Sequence, residues 1–140
     1  MKFIFFAIGL ILFLFFLMGL KSQKGTAKGL VSGHLAPPGS APNCVSSEIN
    51  VQPEKKVAPL NGKLAQIKAA IKATGGTITS ETDNYVSATY MSKIFKFVDD
   101  VEIRHEKENI WHIRSSSRVG YSDRGVNRKR VEAIRTHILK

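Results

Sequence analysis

The sequence predicts an α+β protein in which an N-terminal transmembrane helix precedes a two-layer domain with a four-stranded antiparallel sheet and two helices, in the order α-β-β-β-β-α. Eighteen uncharged residues, Phe3–Leu20, open the chain. Alternating apolar and polar residues fill much of 77–117, which is typical of half-buried strands. Apolar residues at helical spacing stand on both sides of that region, and helices that cover one face of a sheet give an α+β domain. We therefore divide the chain into an anchor (1–21), a linker (22–59) and the folded domain (60–140).

The apolar stretch Phe3–Leu20 is long enough to cross a membrane. At 1.5 Å per residue it spans about 27 Å, roughly one bilayer core. Lys2 and Lys21 close it at its two ends, and no A-x-A motif follows it. This pattern favours an uncleaved signal anchor, with a cleaved signal peptide as the alternative.

Two arguments about the membrane side of the domain disagree. Lys21, Lys24 and Lys28 outnumber Lys2 and the terminal amine, which favours a cytoplasmic domain. Short N-terminal anchors usually act as export signals, and on this ground we expect a single-pass protein with its domain on the extracytoplasmic, or periplasmic, side.

The segment 22–59 is rich in glycine and serine, and all five prolines lie between Pro37 and Pro59. Its PNCVSS motif contains Cys44, which is either a reactive nucleophile or a small buried residue. Because it is the only cysteine, an intramolecular disulfide and a cysteine-based zinc cluster are both excluded. The four histidines have no metal-ligand spacing, so we expect neither a metal nor another cofactor.

The first helix of the domain carries an apolar stripe of Leu64, Ile67 and Ile71. We expect Asn61 to cap it and the pair Gly75–Gly76 to end it.

Four segments then alternate as strands. They are Thr77–Glu81, Tyr85–Met91, Phe97–Arg104 and Ile110–Ser117. Placing Ile103 opposite Trp111 brings charged residues into register, with Asp100 facing Arg114 and Glu102 facing His112. The same register turns Asp99 toward the apolar side, whereas the opposite face, with Arg114, is left for solvent, the membrane or a ligand.

The arginine-rich stretch Arg114–Arg135 joins the last strand to the last helix, for which Ser122 or Asp123 is a suitable N-cap. Guanidinium groups beside a helix N-terminus can hold an anion or a carboxylate. The ligand-binding residues that we predict are Asp99, Arg114, Ser116, Arg118, Tyr121, Ser122, Asp123, Asn127 and Arg130. The alternative is a structural ion-pair network, in which the carboxylates Asp99, Asp100, Asp123 and Glu132 neutralise these arginines.

The chain is basic, with 21 Lys and Arg against 11 Asp and Glu and a net charge of +10. Such a balance favours an acidic partner, for example an anionic lipid head group or small molecule. The basic residues alternate with acids and no aromatic stacking platform accompanies them, which argues against nucleic-acid binding.

Three motifs in order resemble one family. PNCVSS (Pro42–Ser47), FVDDVEIR (Phe97–Arg104) and the stretch Arg114–Arg135 are similar to motifs of the DUF1499 family, and the resemblance covers 35–139. It implies location more than activity: many members are exported, lipoprotein-like or membrane-attached, and the family name carries no function.

Three function classes are compatible with these observations. The first is a membrane-anchored, non-enzymatic module that binds an anionic ligand. The second is a structural partner of an unidentified protein in a membrane or envelope complex. The third is a hydrolase that uses Cys44 or Ser46 with an acid such as Asp99 and with arginines stabilising an oxyanion, although no G-x-S-x-G motif is present.

Overall fold

The computed structural model describes residues 2–139 and has three α-helices. The helices are α1 (Lys2–Gln23), α2 (Leu64–Ala73) and α3 (Val126–Ile138), and a 3₁₀ turn covers Pro53–Lys55. The strands are β1 (Leu30–Val31), β2 (His34–Leu35), β3 (Cys44–Ser46), β4 (Leu60–Asn61), β5 (Thr77–Thr82), β6 (Tyr85–Met91), β7 (Val98–Lys107) and β8 (Ile110–Ser117). The α+β class and the order of elements from α2 to α3 are as predicted.

The main sheet has six strands, and the prediction of four is wrong. Its order is β3-β8-β7-β6-β5, with β4 also paired to β8, and every pairing is antiparallel. The two additional strands come from 44–61, where they are only two or three residues long and too short to show alternation. They pair with the second edge of β8, whose backbone groups would otherwise lack partners. A separate hairpin is formed by β1 and β2.

The register between β7 and β8 differs from the expected one by two residues. Ile103 pairs with Ile113 rather than Trp111, and Glu102 pairs with Arg114. The turn is shorter than expected, because β7 continues to Lys107 and the register shifts between His105 and Lys107. Since side chains alternate with a period of two, this shift leaves every residue on its predicted face. The pairs Asp100–Arg114 and Glu102–His112 are replaced by Asp100–Ser116 and Glu102–Arg114.

Both helices of the domain pack on one face of the sheet and build the core. Ile67 and Ile71 of α2 and Val131 and Ile134 of α3 are buried there against β6, β7 and β8. Asn61 lies in β4 and does not cap α2, which was expected of it. Instead the Gln66 side chain accepts a hydrogen bond from the Lys63 N–H at 2.9 Å, as in a capping box.

The opposite face of the sheet is covered by the segment that joins α1 to β3. Charged and polar side chains on this face are buried and not solvent-exposed: Asp100, Glu102, Arg104, His112, Arg114 and Ser116. The covering segment includes β2, which packs on β7 and β8. Buried charges must be paired to persist, and this requirement shapes the site described below.

Helix α1 is apolar on all sides. Its residues Phe3–Gln23 are long and apolar enough to span a membrane, and most of their surface is not covered by the rest of the chain. Among the described residues of α1, those from Phe15 onward contact the domain, around the start of β7.

Candidate functional site

The nine predicted ligand-binding residues do not converge on one place. Arg114, Ser116 and Arg118 lie on the sheet face under the covering segment. The other face of the sheet, against α3, holds Asp99, Asp123, Asn127 and Arg130. Tyr121 and Ser122 lie in the exposed loop between β8 and α3, with Tyr121 76% exposed. The sheet itself therefore separates the predicted residues into two groups.

Asn127 is the centre of the group on the α3 side and is fully buried. Its Oδ1 accepts hydrogen bonds from Ser115 Oγ and Arg130 Nη1, both at 2.6 Å. Its Nδ2 donates to the Asn43 carbonyl and to Asp123 Oδ2, at 3.0 and 2.8 Å. The amide thus joins α3, β8 and the approach to β3, and its donors and acceptors are used within the protein.

Arg130 and Asp99 form an ion pair on the same side. Arg130 Nη2 lies 2.7 Å from Asp99 Oδ2, and the guanidinium also lies over the Tyr90 ring at 4.6 Å. Asp99 therefore faces the helix side, as the alternation predicted, and has a cationic partner there. This half of the predicted set matches the structural ion-pair network that was the alternative.

Asp123 organises the start of α3. Its carboxylate accepts the N–H groups of Gly125 at 2.9 Å and Asn127 at 2.8 Å. Burial alone would raise the pKa of Asp123, but these backbone hydrogen bonds and the Asn127 amide lower it below its ordinary value. The N-cap residue of α3 is Gly125, so the expectation that Ser122 or Asp123 occupies this position is wrong. Gly125 has φ of 80°, a left-handed conformation that suits glycine at the turn into the helix.

The covered sheet face is centred on Glu102, a carboxylate with 0% exposure. It receives three hydrogen bonds: from Arg114 Nη1 at 2.9 Å, from Tyr85 Oη at 2.7 Å and from the Gly29 N–H at 2.7 Å. Burial and the bond to Glu102 raise the pKa of Tyr85 well above its ordinary range, so the hydroxyl stays protonated and donates. Gly29 belongs to the covering segment, and its bond fastens that segment to the sheet.

Arg118 joins the same face to the end of α1. Its Nε and Nη2 bind the two Asp100 carboxylate oxygens at 2.8 and 2.7 Å, a bidentate arrangement. Its Nη1 donates to the Ser22 carbonyl at 3.1 Å. Three nitrogens of Arg118 are therefore occupied by protein acceptors.

Arg114 is less completely used than Arg118. It is 3% exposed, and its Nε is buried without a hydrogen-bond partner among the described residues. A buried unpaired N–H of this kind costs about 1–3 kcal/mol unless a water molecule or a ligand satisfies it. Arg114 therefore has unused donor capacity.

A cavity of about 300 Å³ lies beside Arg114, under the covering segment. Lys28 and Arg118 add two more cations to its lining, and Asp100 is the lining carboxylate. The other lining residues are uncharged: Gly25, Thr26, Gly39, Asn43, Ser116 and Ser117. The volume is at the lower end of small-molecule sites. Among these lining groups, positive charge exceeds negative charge.

The two candidate nucleophiles lie in β3 and are shielded. Cys44 is 3% exposed, with its Sγ 3.8 Å from the Val45 carbonyl oxygen. Ser46 is fully buried, and its Oγ accepts the Glu48 N–H at 3.2 Å. In residues 2–139, no three His, Cys, Asp or Glu side chains stand close enough together to hold a metal ion.

Sequence reasoning missed a buried cluster around Glu48. Its carboxylate is bound bidentately by Arg104, at 2.5 and 3.0 Å, and also by the Leu35 N–H at 2.9 Å. Burial would raise the pKa of Glu48, but Arg104, the Leu35 N–H and His34 together lower it to about 2. No sequence pattern pointed to this pair, because its members are far apart along the chain.

A second missed contact joins Ser47 to His112, with 3.0 Å between Oγ and Nδ1. The same hydroxyl accepts the Ile113 N–H at 2.8 Å and is buried at the junction of the β3 segment and β8. Ser47 therefore holds two strands together and does not open into the cavity.

The motifs that form these contacts also define a family. The model of a family described as "Protein of unknown function (DUF1499)" matches residues 34–138, about three quarters of the chain. The chain belongs to this family. The matched residues agree with the resemblance at 35–139. They include the Asn127 cluster and the side chains around Glu102 in this DUF1499 domain, whereas Gly29, which binds Glu102, precedes the match. No curated protein matches the chain.

Proposed function

We propose that this DUF1499 protein is a single-pass membrane protein whose domain binds an anionic group, of the phosphate or carboxylate class, in the cavity beside Arg114. In this proposal it is a binding module and not an enzyme. The observation that carries it is the buried Arg114 Nε, an N–H that has no partner in residues 2–139 and belongs to a residue that lines the cavity. An anion there would supply the missing acceptor in a charge-assisted hydrogen bond.

The other lining groups support an anionic ligand. Lys28 is exposed, lies in the covering segment and has no salt-bridge partner among the described residues. Ser116 Oγ has only a long intramolecular contact, 3.4 Å to the Ser117 carbonyl, and is available to donate to a ligand. Arg118 and Asp100 satisfy each other and would frame the cavity without taking up the ligand.

The cavity's position suggests two sources of the anion. Arg118 at its edge binds the Ser22 carbonyl, one residue before the end of α1. If α1 spans a bilayer, the cavity lies near the level of the lipid head groups. A phospholipid phosphate and a free phosphate share the chemistry that these residues would recognise.

The test is thermal unfolding of the full chain with inorganic phosphate, first in detergent micelles and then in nanodiscs. Phosphate at 100 times its dissociation constant should stabilise the protein by about 2.7 kcal/mol, on the order of 10 °C for a domain of this size. A lipid source predicts that the stabilisation appears in nanodiscs with anionic phospholipid, without added phosphate. A soluble source predicts that phosphate or a carboxylate is needed in either environment.

Lys28→Ala and Ser116→Ala should reduce this stabilisation while leaving the ligand-free midpoint unchanged. The matched control is Lys24→Ala, which removes the same charge from the same segment. Equal stabilisation in all three variants, or no stabilisation of the wild type by any of these anions, would refute binding in this cavity.

We further propose that the domain is extracytoplasmic, because short N-terminal apolar helices commonly direct export of the chain that follows them. Protease added outside sealed cells or vesicles should then digest the domain. Full protection of the domain until the membrane is opened would place it on the cytoplasmic side.

A further inference from the structure

One stripe of α1 packs against the domain. Phe15, Met18, Gly19 and Ser22 follow the spacing of one helix face, and each of them contacts or lines the region around the start of β7. The Phe15 ring stacks on Phe95, with ring centroids 5.3 Å apart. The contact between the domain and α1 therefore extends from Ser22, near the end of the helix, back to Phe15.

Two further contacts hold this arrangement. Gly19 lies so close to the Phe95 carbonyl that any side chain at this position would collide with it. Ser22 is buried, and its Oγ accepts the Val98 N–H at 3.0 Å. Together they fix the segment 92–97, which we call the β6–β7 loop, alongside the last two turns of α1.

The depth of this contact has a consequence for the membrane. Leu20 is the last residue of the apolar stretch, and Phe15 lies five residues before it, about 7–8 Å deeper along the helix axis. Side chains on a helix tilt toward its N-terminus, so the Phe15 ring lies at least that deep. If α1 spans the bilayer, Phe95 beside it lies below the surface as well.

We infer that the β6–β7 loop inserts into the bilayer next to α1. Part of the domain then lies within one leaflet, and the domain is not connected to the membrane through α1 alone. The surface of the loop fits a bilayer. Ile94 at its tip is 82% exposed, and Met91 just before it is also exposed. Lys93 and Lys96 flank the tip, and lysines at this level can extend their ammonium groups to lipid phosphates. This inference rests on contacts of α1 and does not depend on the cavity beside Arg114.

The experiment measures the depth of single probes on the full chain in vesicles of phosphatidylcholine with phosphatidylglycerol. Cys44→Ser provides a background without other thiols, and Ile94→Cys carries an environment-sensitive fluorophore. The matched control is Asp83→Cys in the turn between β5 and β6, at the other end of the hairpin. Insertion predicts blue-shifted emission at position 94 and quenching by lipids with spin labels in the upper acyl chain, and neither effect at position 83. A probe at position 94 as accessible to aqueous quenchers as the one at position 83 would overturn the inference.

A pair of glycine variants tests whether α1 holds the loop. Gly19→Ala should separate the loop from the helix and reduce the lipid quenching at position 94 by at least half. Gly9→Ala is the control, because an added Cβ there would have no described atom within 4 Å. The emission of Trp111, which is buried in the core, reports whether each variant remains folded. Unchanged quenching in a folded Gly19→Ala protein would show that helix docking does not place the loop.

Discussion

The ion pair between Arg114 and Glu102 offers the sharpest test of how the covered sheet face is built. Both residues are almost fully buried, and Nη1 and Oε2 are 2.9 Å apart. Arg114→Ala would leave the Glu102 carboxylate in the interior without its cation. Such a loss destabilises far more than a surface salt bridge does, because the remaining charge cannot be hydrated.

The magnitude follows from what remains around Glu102. Breaking a buried pair typically costs about 3–5 kcal/mol. Tyr85 and the Gly29 N–H would still donate to the carboxylate, so we expect the lower part of that range, about 3 kcal/mol. For a domain of this size the midpoint of thermal unfolding should fall by roughly 12–24 °C.

The assay is urea unfolding of the full chain in detergent micelles, followed by the fluorescence of Trp111, the only tryptophan. The double variant Arg114→Ala with Glu102→Gln should recover part of the loss, since it removes the uncompensated charge. Lys28→Ala is the control. It also removes a cation from the cavity lining, but Lys28 has no buried partner among the described residues, so the free energy of unfolding should change by less than about 0.5 kcal/mol.

A loss below about 1 kcal/mol for Arg114→Ala would refute this reasoning. It would mean that Glu102 is neutral or hydrated in the folded protein. A double variant less stable than Arg114→Ala would likewise show that the buried charge is not the origin of the loss.

Two more predictions concern other carboxylates. The pKa of Glu48 is about 2 in the folded protein and 4.5 in an unfolded reference, so its ion pair stabilises the fold above pH 4.5 and this contribution is lost as the pH falls from 4.5 toward 2. The contribution is on the order of 3 kcal/mol. When the free energy of unfolding is measured at decreasing pH, it should fall less steeply in Glu48→Gln than in the wild type. An identical fall in both proteins would contradict the role of Glu48. Asp123→Ala should cost about 1 kcal/mol by removing the acceptor for two N–H groups at the start of α3. Ser122→Ala is its control, with a single long contact to the Arg124 N–H at 3.3 Å. Equal losses in the two variants would show that the Asp123 carboxylate does not stabilise the start of α3.

Much of the fold could be predicted because its signals are local. The apolar run at Phe3–Leu20, the stripe at Ile67 and Ile71, and the alternation in β6 and β8 depend only on neighbours in the sequence. For the same reason the face of each strand residue was correct even where the register was off by two. The short strands β3 and β4 escaped prediction because two or three residues carry no periodicity.

The candidate site was predictable only as a set of residue types. Arginines and hydroxyls in the stretch from Arg114 to Arg130 were predicted to form one ligand site, but alternation along β8 directs them to opposite faces of the sheet. Sequence alone could not tell which arginine would be fully paired. The pairing depends on partners from distant segments of the chain. The Ser22 carbonyl accepts a hydrogen bond from Arg118, and the Gly29 N–H donates to Glu102, the carboxylate that binds Arg114.

The sequence by itself determined the α+β class, the apolar N-terminal helix, the DUF1499 membership and the face on which each strand residue lies, because these follow from composition, motifs and local periodicity. Tertiary structure alone decided three further features. It folded the segment after α1 over the charged sheet face, divided one predicted site into a paired network and a cavity with an unpaired Arg114 Nε, and set the β6–β7 loop beside α1. The physical reason is the same in each case: hydrogen-bond partners and burial are contributed by residues far apart in the chain, and only folding brings them together.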